Sequence, residues 1–474
     1  MLDLVVRGGQ VVTPWGVGDW DVAVQGEKVV AVAAPGTLTD DVTRVVDATG
    51  MVVVPGGIEP HAHIGAPIMG PGNLKTAPPE EVSRAALFGG TTTLMDFAIQ
   101  YPGIDISQAI QERTDTWLGK SYADYGHHLM LLGDIEPPIL ESLHEHMEDG
   151  HASVKIFTTN IRPPEMTGDP RMVRMGHLHD LMEQIQRNNG MLLVHSEDDD
   201  MVQHMYEKLT REERTEWYNM HLVHSNESED VSFRRVLRVA EWAGSPVYFV
   251  HVSAKEGIQA IGEHRSKGLP AYGETLHNYC CFSAENYKEE NGMKYHTYPS
   301  LKSEEDRQSL WNGITQSGLH TMATDEYCTS WELKIQGRSI RDVTGGHNGA
   351  ETRVGVTYSE GVSRRGMSLQ RFVDITSANA AKIMGLYPRK GVLAPGSDAD
   401  ITLIDPSIKR TLTMNDFHIT DYSIWEGFEA DGWPVTTILR GQVAVENGQL
   451  NTQLGSGKFI PRKVAPEVTN RPAC

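Results

Sequence analysis

The sequence is poor in cysteine, with four in 474 residues. Two of them, Cys280 and Cys281, are adjacent, which suits neither a disulfide framework nor a CxxC metal site. They read as small, buried, reduced thiols of a reducing compartment. No apolar run reaches the 18 residues needed to cross a bilayer as a helix. Met1 to Arg7 holds no basic region leading into a long apolar stretch, so no signal peptide is expected and the expected location is cytoplasmic. Positive charge is also scarce: 42 basic against 63 acidic residues leave a net charge of −21. Such a balance speaks against nucleic acid or an anionic membrane as partner, since either needs a basic face. There is no low-complexity tract.

What is present divides the chain in three. Residues 1 to about 54 read as short strands and tight turns: Asp3 to Gly8, Val11-Val12, Asp21 to Val24 and Val29 to Ala33, separated by Gly8-Gly9, Gly16 and Gly26. The far end has the same character, with Ala399 to Ile404 as one strand and Thr436 to Val445 as two across a glycine turn. Two β-rich ends around a different middle predict a small β-sandwich built from both termini, residues 1–54 and 388–474. The middle, 55–387, alternates apolar strands with amphipathic helices. Eight strands are expected: Val52 to Ile58, Thr91 to Phe97, His128 to Leu132, Ser153 to Phe157, Met191 to His195, Pro246 to His251, Pro270 to Glu274 and Leu319 to Ala323. That number of strand–helix units predicts an α/β fold of the (β/α)8 TIM-barrel type. A doubly wound sheet usually carries a glycine-rich phosphate turn after its first strand; here that place holds His61-Ala62-His63.

Barrel active sites lie at the C-terminal ends of the strands. His61 and His63 follow the first strand, two residues apart and so on one side of an extended chain. Lys155 lies in the apolar fourth strand. His195 ends the fifth, His251 the sixth, and Asp325 follows the eighth. Any one of these has an ordinary structural reading: a strand-end histidine is commonly a hydrogen-bonded core residue, and a strand lysine can reach solvent or pair with a carboxylate such as Glu197. Five metal-competent strand ends of eight are a different matter. Imidazole and carboxylate donors suit zinc, manganese, iron or nickel. A protonated lysine cannot ligate a cation, but a buried one has a lowered pKa. Its neutral amine can take up carbon dioxide as a carbamate whose two oxygens can bridge two ions.

The order His-x-His, Lys, His, His, Asp resembles the amidohydrolase superfamily with two metals and a carboxylated lysine. Within it the chain is similar to the dihydropyrimidinase/hydantoinase family over nearly its whole length. The likeness rests on Pro55-Gly56-Gly57-Ile58-Glu59-Pro60-His61-Ala62-His63, Gly90 to Phe97, Val154-Lys155-Ile156-Phe157, Val194-His195-Ser196-Glu197, Val250-His251-Val252-Ser253, Ala378 to Lys382 and Trp433 to Gly441. The resemblance implies that His61 and His63 hold one divalent ion with Asp325, that His195 and His251 hold the second, and that carboxylated Lys155 bridges them. The ions are expected to be zinc, with manganese the alternative. A bridging water then attacks an amide carbonyl, with Asp325 moving its proton to the leaving nitrogen. The family's tetramers imply a homo-oligomer, tetramer or dimer.

The substrate-facing positions depart from that pattern. The family usually carries tyrosine five residues after the lysine, an oxyanion donor; here it is Asn160. Where the family tends to have serine before Pro-Pro, this chain has Tyr298-Pro299-Ser300, and after the aspartate it has Glu326-Tyr327-Cys328. Asn348, in Gly345-Gly346-His347-Asn348, is a candidate to present a backbone group to the substrate. Asn160, Tyr298 and Asn348 are therefore the substrate-binding candidates, though Asn160 can equally cap a turn and Tyr298 can equally pack. Dihydroorotase has an arginine two residues after the His-x-His; here it is Gly65. The expected substrate is a small cyclic amide of the hydantoin or dihydropyrimidine kind. A bulkier or linear amide, and a non-catalytic dihydropyrimidinase-like scaffold, are the other readings.

Overall fold

The structure is a computed structural model that describes residues 1–38, 41–68, 74–163, 165, 171–419 and 421–474. Two sheets organise it. Eight strands form a parallel sheet in sequential order: Gly57–Glu59, Thr91–Gln100, Asp124–Leu131, Ser153–Phe157, Met191–His195, Val247–Phe249, Ala271–Leu276 and Thr321–Ala323. The first and last meet again just beyond their ends. Ala62 bridges Glu326 in parallel, and the His63 N–H donates to the Glu326 carbonyl at 2.7 Å. The sheet is thus drawn round into the expected (β/α)8 barrel, and this seam lies between His63 and Asp325.

Helices cover the barrel because their apolar residues fall on one stripe. Met175–Arg187 buries Leu178, Leu181, Met182 and Ile185, spaced three, one and three residues apart. Asn226–Ala243 begins where the Ser225 side chain accepts from the Ser228 N–H and stops at Gly244, whose φ of 69° is cheap only for glycine. That helix starts six residues before the Ser232 at which the apolar pattern begins, because its first turn is acidic (Glu227, Glu229) and apolar periodicity cannot see it.

The other sheet has nine strands, mostly antiparallel, from both termini. Ile401–Thr411 pairs with Val52–Pro55, joining the C-terminal strands to the N-terminal ones. The sheet wraps a common core that includes Leu4, Val22, Val53, Leu403 and Ile438. Two expectations need correction. Val52 to Ile58 is not one strand: Val52–Pro55 belongs to this sheet and Gly57–Glu59 to the barrel, because the chain changes sheets at Gly56, where a Cβ would meet the Thr92 hydroxyl at 2.3 Å. Gly8-Gly9 does not separate two strands either. Leu2–Thr13 runs through it with a shift of register, and Gly8 has φ 80°, so the glycines make a bulge. Beyond residue 450 the chain returns to the barrel. Tyr125 exchanges backbone hydrogen bonds with Lys458 and Ile460, and buried Arg462 donates to the Ser153 hydroxyl and the Met384 carbonyl. Among the described residues, no helix is long and apolar enough to cross a membrane.

Candidate metal centre

His61, His63, Lys155, His195, His251 and Asp325 all line one cavity at the C-terminal end of the barrel. They separate into two groups. His61 Nε2 and His63 Nε2 approach one oxygen of Asp325 at 3.1 and 3.2 Å. One ligand atom from each of these three residues falls within 4.8 Å of the others, close enough to share an ion. On the other side the His195 and His251 rings meet edge to face, 4.5 Å between centroids, and the His61 and His251 rings are 5.5 Å apart. Lys155 projects from the fourth strand between the faces of Phe97 and Phe157, 5.9 and 5.3 Å from their centroids.

The protonation pattern suits ligation. His61 Nδ1 lies 2.8 Å from Glu274 Oε1, which fixes the proton on Nδ1 and leaves the Nε2 lone pair facing the cavity. That Nε2 and Asp325 Oδ1 are buried and take no hydrogen bond. Two orphaned electron-rich atoms aimed at one point are what a cation would relieve. His195 is the mirror case: its Nε2 faces Glu197 at 2.8 Å, so Nδ1 is the atom left for a metal. Burial pushes His195 down to about 4, and lowers His63 and His251 as well, keeping these rings in the neutral form that binds cations. The donor set therefore fits divalent metal. His251 and Asp325 both sit at positive φ, 40° and 50°. Side chains other than glycine rarely adopt this conformation, and its strain is typical of positions fixed by function.

Lys155 is 1% exposed, and among the described residues its amine forms no hydrogen bond or ion pair. Burial pushes its pKa down to about 7, against the attraction of Asp325 and Glu274. The pairing with Glu197 is not formed: that carboxylate is taken by His195 and by His224 Nδ1 at 2.9 Å.

The substrate candidates fare differently. Tyr298 is on the cavity wall; its hydroxyl accepts from Arg162 Nε at 2.9 Å. Asn160 is not on the wall. Its Oδ1 accepts from the N–H groups of Arg171 (2.7 Å) and Met172 (3.2 Å), and its Nδ2 faces Asp199 at 3.3 Å, so it braces the turn after the fourth strand. Asn348 is also behind the wall, its carbonyl beside His347 Nδ1 at 2.9 Å. The neighbouring Thr344, Gly345 and Gly346 face the cavity instead, held by the buried Lys334 ammonium, which donates to the Thr344 carbonyl at 2.8 Å and to the Gly346 carbonyl.

Several residues of the site were not anticipated. Glu274 joins the two halves: beyond His61, it accepts from the His251 N–H (3.0 Å) and the Tyr248 hydroxyl (2.7 Å). Glu59 accepts from the N–H groups of His61 (3.0 Å) and Thr324 (3.1 Å), tying the first strand end to the last, and is paired with buried Arg353 at 3.1 Å. Glu326 accepts from the Gly349 and Ala350 N–H groups and so ties the loop after Asp325 to the next one. Glu274 was visible in principle, since it ended a predicted strand like the histidines. Glu274→Gln is expected to weaken metal binding by about 10- to 100-fold, as loss of a ligand's hydrogen-bonded carboxylate does elsewhere. Competition with a coloured chelator measures this; an unchanged affinity would remove Glu274 from the site.

A (β/α)8 barrel with these donors at its strand ends is the framework of a metal-dependent hydrolase. Residues 52–444 match the model of the amidohydrolase family, and the chain belongs to that family. Within it the chain belongs with the hydantoinases and dihydropyrimidinases. It is 32% identical to a D-hydantoinase of Geobacillus stearothermophilus, over 97% of this chain and 96% of that one. It is 31% identical to a D-hydantoinase of Streptomyces coelicolor, over 98% and 99%. The crystal structure of dihydropyrimidinase from Brevibacillus agri superposes with a TM-score of 0.92 at 31% identity, covering 98% of this chain and all of that one.

Proposed function

We propose that this protein is a binuclear metal amidohydrolase that opens the ring of a small cyclic amide of the hydantoin or dihydropyrimidine kind by hydrolysing its C–N bond. The observation that carries this is the convergence of two histidine groups, Asp325 and a buried, unpartnered lysine on one cavity. The likeness to proteins named hydantoinase and dihydropyrimidinase supports it.

His61, His63 and Asp325 would hold one ion, His195 and His251 the other, and Lys155, as its carbamate, would supply an anionic ligand to them. Two such ions, zinc in this reading with manganese the alternative, supply Lewis acidity and lower the pKa of a water. The residues do the rest. Asp325, at the mouth of the eighth strand, accepts the proton of the attacking water and delivers it to the ring nitrogen that leaves. Glu274 and Glu197 keep the proton off the ligating nitrogens of His61 and His195. Tyr298 and the 344–346 segment shape the substrate's side of the cavity. Asn160 acts through the turn it braces, and Asn348 through the loop it belongs to. Residues 55–387 serve as the catalytic unit and 1–54 with 388–474 as its β-rich companion. A homo-oligomer, tetramer or dimer, working in the cytoplasm completes the reading.

A bulkier or linear amide is the second reading, and the withdrawal of Asn160 from the wall favours it, because the position gives no donor to a ring bound at the metals. Metal analysis joined to a screen of hydantoins, dihydrouracil and linear amides decides. Two ions per chain and turnover of a hydantoin or dihydrouracil are expected. Turnover of linear amides alone favours the second reading, and a protein that binds no metal overturns both.

A further inference from the structure

Arg162 is a half-buried guanidinium on the wall of the catalytic cavity. Its Nε donates to the Tyr298 hydroxyl at 2.9 Å, and its Nη2 to the Val343 carbonyl. Two of its five N–H donors are thereby used. Among the described residues it forms no ion pair; the ionisable groups near it include the phenols of Tyr298, Tyr206 and Tyr327. Elsewhere in the molecule, enclosed cations either spend their donors on carbonyls and hydroxyls, as Lys334 and Arg462 do, or are matched by carboxylates. Lys390 meets Asp124 and Asp400, and Arg353 meets Glu59. Taking a cation out of water without an anion is costly, so an unmatched one over a cavity calls for an anion from outside.

The surroundings agree. The nearby wall is apolar, formed by Ile99, Met130, Leu132, Phe157 and Ile161. Among the described residues, the one carboxylate on the lining is Asp325, at the metal centre. A second guanidinium, Arg171, opens on the same cavity beside Phe157, 5.9 Å from its centroid, where Asn160 holds its backbone. Among the described residues, Arg162 and Arg171 are the basic groups of this part of the lining. Tyr298, which stands where the family tends to have serine, holds Arg162 in place from below, with its ring 5.6 Å from the guanidinium carbon.

We infer that the amide taken by this site carries an exocyclic carboxylate, and that Arg162, braced by Tyr298, is the specificity-determining residue that receives it. This rests on the reading of the site as a cyclic-amide hydrolase. In the reaction one water is consumed: its oxygen bonds to the ring carbonyl carbon, that carbon's bond to the ring nitrogen breaks, and the nitrogen takes up the proton. The substituent's carboxylate is unchanged throughout and acts as a handle.

The test compares hydantoin-5-acetic and hydantoin-5-propionic acids with their uncharged amides, which match them in size, on the metal-loaded wild-type protein and on Arg162→Gln. At least one acid is expected to exceed its amide in kcat/KM by about ten- to a hundredfold, the usual worth of a hydrogen bond to a charged partner. The ratio falls to near one in Arg162→Gln, mainly through KM, and Arg162→Lys restores part of it. Equal use of acid and amide by the wild type, or a preference that survives Arg162→Gln, overturns the inference; the wild-type ratio decides alone if the variants do not fold. Should neither a hydantoin nor dihydrouracil be turned over, the functional reading falls separately. Calorimetric binding of the ring-opened acid against its amide then still decides on Arg162: tighter acid binding supports it, and equal binding overturns it.

Discussion

Asp325→Asn is expected to lower kcat by about 10²- to 10⁴-fold, the usual contribution of a positioned general acid–base group, while much of the bound metal stays. The amide has the shape of the carboxylate and keeps one oxygen toward His61 and His63, which lie 3.1 and 3.2 Å from Asp325 Oδ1. It cannot take up a proton. The defect should therefore fall on kcat and leave KM nearly unchanged, and the acid limb of the pH–rate profile should disappear with the base that causes it. Steady-state kinetics beside metal analysis separates the two roles of the residue. Loss of the ion in the variant would assign the effect to ligation. Retention of more than a tenth of kcat with metal bound would take the proton-shuttling role away from Asp325.

The barrel and its donors were legible because both depend on local pattern. A buried parallel strand must be apolar throughout, and a polar residue at its C-terminal end must face the mouth; Leu192-Leu193-Val194-His195 and Tyr248-Phe249-Val250-His251 say this without any tertiary information. What was hidden is set by pairing across long sequence distances. Glu274 lies 213 residues from His61, and only closure of the barrel makes it that ring's partner. Glu59 reads as a conventional polar residue beside Pro60, and its union with Arg353 depends on the same closure. The change of sheet at Gly56 was invisible because Val52 to Ile58 is apolar whichever sheet each residue joins. The substrate wall was the least legible part. Asn160 and Tyr298 mark departures from the family pattern in sequence, but whether each faces the cavity or braces a loop is decided by loop conformation, which carries no periodicity. Arg162 was passed over for the same reason: a loop arginine looks like a solvated one until its neighbours are placed.

The same physics makes Lys155 a sensitive position. Burial pushes its pKa from 10.5 down to about 7. At pH 8 the amine is then roughly nine-tenths neutral, by the definition of a pKa. Neutral amine and carbon dioxide form an N–C bond with loss of one proton, and in the proposed reading the resulting anion would lie between the His61–His63 and His195–His251 groups. Lys155→Met keeps the length and removes the amine. It is expected to lower kcat by about 10³-fold, a barrier increase of roughly 4 kcal/mol, and to reduce bound metal from two ions per chain to one or fewer. Acetate or propionate, which bring a free carboxylate, should restore part of the metal. The pH dependence follows from the sign of the shift. In unmodified, metal-free protein the unfolded chain holds the Lys155 proton up to about 10.5 and the folded chain only to about 7. The unfolded state therefore binds more protons between these limits, and stability should rise with pH across that window. Reconstitution with metal and bicarbonate should likewise accelerate through pH 7 and level off, where a solvent-exposed lysine would continue to gain toward 10.5. Carbon-13 NMR of protein loaded under labelled carbon dioxide reads the adduct directly. If reconstitution is indifferent to carbon dioxide and no adduct carbon is seen, the bridging role of Lys155 fails, and the assignment of His195 and His251 to a second ion loses the ligand that connects it to the first.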